Sequence, residues 1–228
     1  MDDLAPMILK ISVMAIPALV AITFHEAAHG YVAKRLGDPT AYMLGRVTFN
    51  PFRHIDPIGT VVLPLILFLT SGLLFGWAKP VPVDLRNLHN PRRDMVWVAL
   101  AGPGVNIALA LVSALLMHVA PYLPDFAATW FFENLQISIY FNLVLAVFNM
   151  LPLPPLDGGR VAVGLLPDAL ARPLAGLERY GMVILLGLIF LIPLVAGQLG
   201  YAFNPVFMVI SPITEALFDI VVRVTGLA

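Results

Sequence analysis

Five residues near the start of the chain carry chemistry that their surroundings do not. His25-Glu26-Ala27-Ala28-His29 interrupts an otherwise apolar run. Residues four apart share one face of a helix, so both imidazoles can reach a single metal ion. Glu26 stands beside them, placed to take a proton from a metal-activated water and return it to a leaving amine. Each of these groups costs roughly several kcal/mol in hydrocarbon unless it has a partner. A thoroughly apolar helix has no other use for all three.

A catalytic zinc takes three protein ligands and a water. The best candidate for the third ligand is Asp157, in Asn149-Met-Leu-Pro-Leu-Pro-Pro-Leu-Asp157-Gly158-Gly159-Arg160. Pro152, Pro154 and Pro155 must end the preceding helix, and Gly158-Gly159 permits tight geometry after it. The plainer alternative is a loop aspartate paired with Arg160. His54 and Asp56, in the stretch Asn50 to Gly59, could compete as third ligand. They suit better a bracing role, or a place behind the ligands, because ligating imidazoles commonly donate to a carboxylate. Asn106 and Asn149 both lie in apolar helices, where an interhelical hydrogen bond is the ordinary use of an amide. For Asn149 a donor to a developing oxyanion is the stronger reading. For Asn106 packing beside Gly102 and Gly104 is favoured, with contact to substrate as the lesser role. His89 and His118 lack partners in sequence and read as interfacial.

These residues must be positioned by membrane helices. The chain is 60% hydrophobic and 12% charged over 228 residues, with a mean hydropathy of +0.90. A soluble domain carries about a quarter charged residues. This chain needs lipid as its solvent; its net charge of −1 says nothing of a nucleic-acid partner, no basic block suggests one, and none is expected. It has no cysteine, so thiolate metal sites and disulfides are excluded. No basic region and small-residue cleavage site precede the first apolar run, which predicts a retained first span. Five stretches have spanning length, at 7–33, 58–77, 95–119, 131–151 and 180–199; a sixth, 205–222, is shorter and interrupted by Pro212. The fold class expected is an all-α polytopic membrane protein of five to six segments. One domain covers 1–228, with a core at 7–160 and C-terminal membrane helices at 178–224.

Twelve of the 13 Lys and Arg residues, Arg223 among them, fall in loops that can share one side, leaving Lys10 on the other. The positive-inside tendency makes that side cytoplasmic, so the N-terminus lies outside and the site near the cytoplasmic face of the cell membrane. Both flanks of 58–77 are basic, so this stretch should enter and leave on the same side. The expectation is a re-entrant hairpin or strand-like insertion near 45–83, surrounded by protein or a water-filled cavity. A full crossing there would reverse the parity of the later helices and put Asp157 across the bilayer from the histidines.

An HExxH pair on a membrane helix, followed by Asn149-x-x-Pro152 and Asp157-Gly158-Gly159-Arg160 on another, resembles the site-2 protease family of intramembrane zinc proteases. Gly76-Trp77-Ala78-Lys79-Pro80-Val81-Pro82-Val83 and Ala101-Gly102-Pro103-Gly104-Val105-Asn106 also look like family segments. The resemblance spans about residues 20 to 160. It implies one zinc per chain held by His25, His29 and Asp157, Glu26 as general base, and Asn149 holding the substrate carbonyl. Single-span membrane proteins with small or helix-breaking residues are the expected substrates, because those helices unwind most easily. The PDZ or CBS domains of some members are not expected here, since the 120–130 loop is too short to hold one. The apolar residues and prolines from Trp77 to Val83 fit an edge strand, against which an unwound substrate could pair through Trp77, Lys79 and Val81. The plain reading of this run is an interfacial loop. Competing functions remain: a non-haem iron enzyme, since two histidines and a carboxylate also make that triad, and a non-catalytic metal-binding or transport protein. A di-iron enzyme needs a second Glu-x-x-His, which the sequence lacks.

Overall fold

The computed structural model describes residues 4–66 and 76–227. Five helices are long and apolar enough to cross a membrane: Ile11–Arg35, Pro91–Tyr122, Ala127–Asn149, Glu178–Gln198 and Pro205–Thr225. With the shorter ones, the helices are α1 (Leu4–Arg35), α2 (Pro91–Met117), α3 (Asp125–Asn149), α4 (Asp157–Leu165), α5 (Asp168–Gly176), α6 (Glu178–Gln198) and α7 (Pro205–Thr225). A single turn at Thr40–Met43 follows α1. Among the described residues there is no strand, and the chain is an all-α polytopic membrane protein.

The core is α1, α2 and α3. His29 of α1 bonds to Val98 of α2, and Asn106 of α2 bonds to Ala21 of α1, so the two helices run antiparallel. The Trp130 indole N–H donates to Ser12 Oγ at 2.9 Å, which sets α3 parallel to α1. Small residues make these contacts close: Ala21, Ala33, Ala110 and Ala114 are all fully buried. In a bilayer, where hydrophobicity does not drive helices together, such close backbone approach supplies packing energy. Large apolar side chains such as Val112, Leu115 and Leu194 point outward, while Asn106 and Asn142 are fully enclosed. Polar groups inside and apolar ones outside is the arrangement lipid demands.

Two expectations needed the tertiary structure. The first concerns 58–77. The Trp77 N–H donates to the Gly59 carbonyl at 3.0 Å, and Thr60 Oγ1 donates to the Trp77 carbonyl at 2.8 Å. A helix crossing between these residues would part them by about 27 Å. The stretch therefore returns to its starting side, as the basic flanks demand; its middle, 67–75, lies outside the described residues. Residues 76–83 form no strand, and their backbone N–H bonds alternate at Trp77, Lys79 and Val81.

The second is a correction. α7 is a continuous 21-residue helix through Pro212, because neighbouring helices can make good one missing hydrogen bond in a membrane. Val206 and Ile210, near its start, pack on Val147 near the end of α3. Its far end packs Val221 against Ala110 and Ala114 of α2, and the Thr225 carbonyl meets His118 Nε2 at 2.8 Å. Thus α7 runs antiparallel to α3, and Arg223 lies at the opposite end of the bundle from Lys34, Arg35, Arg92 and Arg93. One cation is too small a charge bias to override that packing.

Candidate metal centre

His25 and His29 project from α1 into the three-helix core, and both are buried. Asp157 reaches them from the first residue of α4. Its Oδ2 lies 3.1 Å from His25 Nε2 and 3.3 Å from His29 Nε2. Among the described residues, this is the one group of three or more ligand-bearing side chains close enough to share a metal ion.

The loop before Asp157 explains how it gets there. Prolines end α3, and residues 150–156 fold back tightly over the start of α4. A Cβ on Gly158 or Gly159 would collide with the backbone of Met150 or Pro154. These glycines are needed for close approach, since neither has a positive φ. The Arg160 guanidinium pairs with Glu178 at 3.7 Å, so it does not neutralise Asp157.

The proton arrangement decides what the three groups can hold. His29 Nδ1 lies 2.7 Å from the Val98 carbonyl, which can only accept, so Nδ1 carries the proton. His25 Nδ1 lies 2.6 Å from Asn106 Oδ1. The Asn106 NH2 in turn faces two acceptors, the Ala21 carbonyl at 3.2 Å and Asn142 Oδ1 at 2.8 Å. Both histidines, as neutral rings, therefore point an Nε2 lone pair at the carboxylate. Asp157 Oδ2 is buried and receives no hydrogen bond. Three lone-pair donors facing one another repel unless a cation lies between them. Ligand bonds of about 2.0–2.1 Å in a tetrahedral site put donor atoms about 3.3–3.4 Å apart, close to the spacings found. The residues present fit a zinc ion.

Gly102 of α2 completes the enclosure. A Cβ there would stand 2.5 Å from His29 Nε2 and 2.6 Å from His25 Nε2, in the space an ion needs. Its sequence neighbours suggested helix packing alone, and no sequence signal separates the two roles.

Glu26 faces the other side of the site. Its Oε2 accepts from the Val81 N–H at 2.8 Å. That places residues 76–83 against the HExxH helix. Trp77 bonds to Gly59 and Thr60; Lys79 donates to the His54 carbonyl at 2.9 Å and accepts from Arg46 at 2.7 Å. The backbone polar groups of Trp77 and Lys79 and the Val81 N–H are thus spent within the protein, and the Val81 side chain is buried. Alternate residues of an extended segment face opposite ways. Ala78, Pro80 and Pro82 accordingly form the outward edge, and only Ala78 offers it an N–H. Asp38 pins the end of this segment, with Oδ2 accepting from the Asp84 N–H at 2.7 Å and Oδ1 from Asn87 at 3.1 Å. Burial works to raise the Asp38 pKa, but these bonds and those from Thr40 outweigh it and hold the carboxyl below its usual range.

The remaining sequence candidates are not among the three donors. Asn106, read mainly as packing with substrate contact as the lesser role, is fully buried behind His25 with its amide engaged on three partners. His54 Nε2 meets the Thr48 carbonyl, and Asp56 caps the turn at Ile58 and Gly59. Both brace the 48–60 segment through bonds to its own backbone. Asn149 is half-buried at the end of α3 and donates to the Leu145 carbonyl at 2.9 Å. Asn142 and the Val81 N–H were not singled out in sequence; an asparagine in an apolar helix was the one available hint for the first.

The comparisons with known proteins agree with this geometry. The model of "Peptidase family M50" matches residues 117–194. "Putative zinc metalloprotease YwhC" of Bacillus subtilis is 42% identical over 186 residues, 79% of this chain and 81% of that protein. The chain belongs to peptidase family M50. Under the same description, Rip2 of Mycobacterium tuberculosis is 32% identical, over 78% of this M50 chain and 66% of its own length. MJ0611 of Methanocaldococcus jannaschii is 33% identical, over 60% of the chain and 62% of its own length. No solved structure matches. The M50 family, that of the site-2 proteases, makes the protein a membrane metalloprotease.

Proposed function

We propose that this chain is an intramembrane zinc endopeptidase that hydrolyses peptide bonds within the transmembrane segments of other membrane proteins. The observation that carries the reading is the convergence of two Nε2 lone pairs and one carboxylate oxygen at 3.1 and 3.3 Å. It occurs six to ten residues inside the basic end of α1, about 9–15 Å in from Arg35 along the helix. Family membership favours hydrolysis over the iron-enzyme and transport alternatives.

Zinc held by His25, His29 and Asp157 would polarise the scissile carbonyl and acidify a water at neutral pH. Glu26 takes the proton of the attacking water and delivers it to the departing amine. The Val81 N–H holds the Glu26 carboxylate in place between these transfers. Asn149, with one amide hydrogen on Leu145, turns its other toward the developing oxyanion.

Substrate enters as an unwound segment lying along the outward edge of residues 76–82. That edge offers carbonyls at Ala78, Pro80 and Pro82 and a single N–H at Ala78. The substrate strand therefore donates more hydrogen bonds than it accepts. Single-span helices with small or helix-breaking residues unwind most readily and are the expected substrates. The active site opens toward the cytoplasm and the N-terminus lies outside, in keeping with the basic loops around the site.

Glu26→Gln tests the reading. In proteoliposomes carrying a single-span substrate, cleavage should fall by about 10²–10⁴-fold, with zinc still bound one per chain. His25→Ala and Asp157→Ala should lose both zinc and cleavage. Full activity in the glutamine variant, or full zinc in Asp157→Ala, would refute it.

A further inference from the structure

Behind the metal-facing rings runs a chain of amides that no sequence motif announces. We propose that Asn142, in the middle of α3, is a positioning residue that sets the tautomer of His25 through Asn106. It rests on the reading of His25 as a metal ligand. The chain begins at the Ser138 backbone carbonyl, which can only accept. Asn142 Nδ2 donates to it at 2.8 Å and to Ser138 Oγ at 3.3 Å. This fixes which way the Asn142 amide faces and turns its Oδ1 toward Asn106. Asn106 Nδ2 donates to that oxygen at 2.8 Å, and to the Ala21 carbonyl at 3.2 Å. The Asn106 amide is thereby oriented too, and its Oδ1 faces His25 Nδ1 at 2.6 Å.

Every link has a direction, and both ends explain it. The Ser138 carbonyl at one end and the Ala21 carbonyl beside Asn106 cannot donate. At the other, an acceptor on Nδ1 forces the imidazole proton onto that nitrogen and leaves Nε2 with a free lone pair. If the Asn106 amide turned over, an N–H would face Nδ1. His25 would then have to carry its proton on Nε2, where it could not bind a metal. Ala21 opposes that turn with the longer bond and Asn142 with the shorter.

Asn142 is fully buried and lies beyond Asn106 from the ring, so it cannot touch substrate. Its side chain bonds to Asn106 and Ser138. Its amide is the same size as a carboxylic acid, which suggests a separating substitution. A neutral aspartic acid at 142 would donate through O–H to Ser138 and accept from Asn106, preserving the direction. Leucine shares the branched skeleton, is bulkier by its two methyl groups, and preserves neither hydrogen bond.

The test measures zinc affinity by chelator competition on the full-length protein in detergent, with the visible spectrum of the cobalt-substituted form. Partners behind ligating histidines change metal affinity by about 10–100-fold, and one step further back the lower figure applies. Asn142→Leu should bind zinc about tenfold more weakly with an altered cobalt spectrum, and Asn142→Asp should stay within about twofold of wild type. Unchanged affinity in the leucine variant, or an equal loss in the aspartate variant, overturns the proposal. An independent reading needs no substitution: imidazole nitrogen NMR of the metal-free wild type at a pH where the ring is neutral. It should find the His25 proton on Nδ1, and a proton on Nε2 overturns the proposal even if the leucine variant does not fold. Failure of the wild type to bind zinc would instead sink the function proposed above.

Discussion

Gly102 shows how much a single missing carbon can decide. Side chains on α1 and α4 bring the donor atoms, but α2 must leave room for what they hold. A methyl group at 102 would stand 2.5–2.6 Å from both Nε2 atoms, well inside van der Waals contact. Those rings are locked by Val98 and Asn106 and cannot swing away. Gly102→Ala should therefore fold, yet bind less than about a tenth of the zinc of the wild type, the outer end of the range for a disturbed ligand shell. Metal analysis of the purified variant checks this, and stoichiometric zinc would show that the rings yield. The identities of His25, Glu26 and His29 were legible in sequence because i and i+4 always share a helix face. Gly102 was legible only as a small residue, since which neighbour it makes room for depends on a helix some 75 positions away.

Among the elements, the extended segment 76–83 does the least regular work and touches the most chemistry. Its prolines leave Val81 with the one N–H between residues 79 and 83, and Glu26 takes it. Val81→Pro removes that donor while keeping an extended backbone. Zinc content should be unchanged, while cleavage slows by about tenfold to a hundredfold, as expected when a catalytic group is displaced by about 1 Å. Parallel zinc and rate assays separate this from a general loss of fold. The sequence reading put Trp77, Lys79 and Val81 on the substrate side of an edge. No strand forms there, and although backbone bonds alternate along the run, their phase was not available from sequence. Only the bonds to Gly59, His54 and Glu26 reveal that the backbone N–H groups at odd positions face inward.

For the whole molecule, the arrangement of helices follows from a few polar contacts within an apolar bundle. The return of 58–77 to its starting side keeps α3 parallel to α1 and brings Asp157 to the histidines. The orientation of α7 was misjudged by charge and is decided by packing on α2 and α3. The absence of cysteine gives a clean background for testing it. Single cysteines at Arg93 and Arg223 in intact vesicles should react with an impermeant thiol reagent from opposite faces. Labelling from the same face would refute the orientation of α7.

By itself the amino-acid sequence determined the solvent, the helical frame and the types of the candidate metal ligands. These depend on composition and on spacings of four residues or fewer, which backbone geometry converts directly into position. Tertiary structure alone decided that Asp157 Oδ2 falls within 3.3 Å of both rings, 128 and more positions away. It alone decided that Asn106 stands behind His25 and that Glu26 meets Val81. Contacts at such separations depend on how helices pack and which way a re-entrant segment turns, and no local periodicity encodes either.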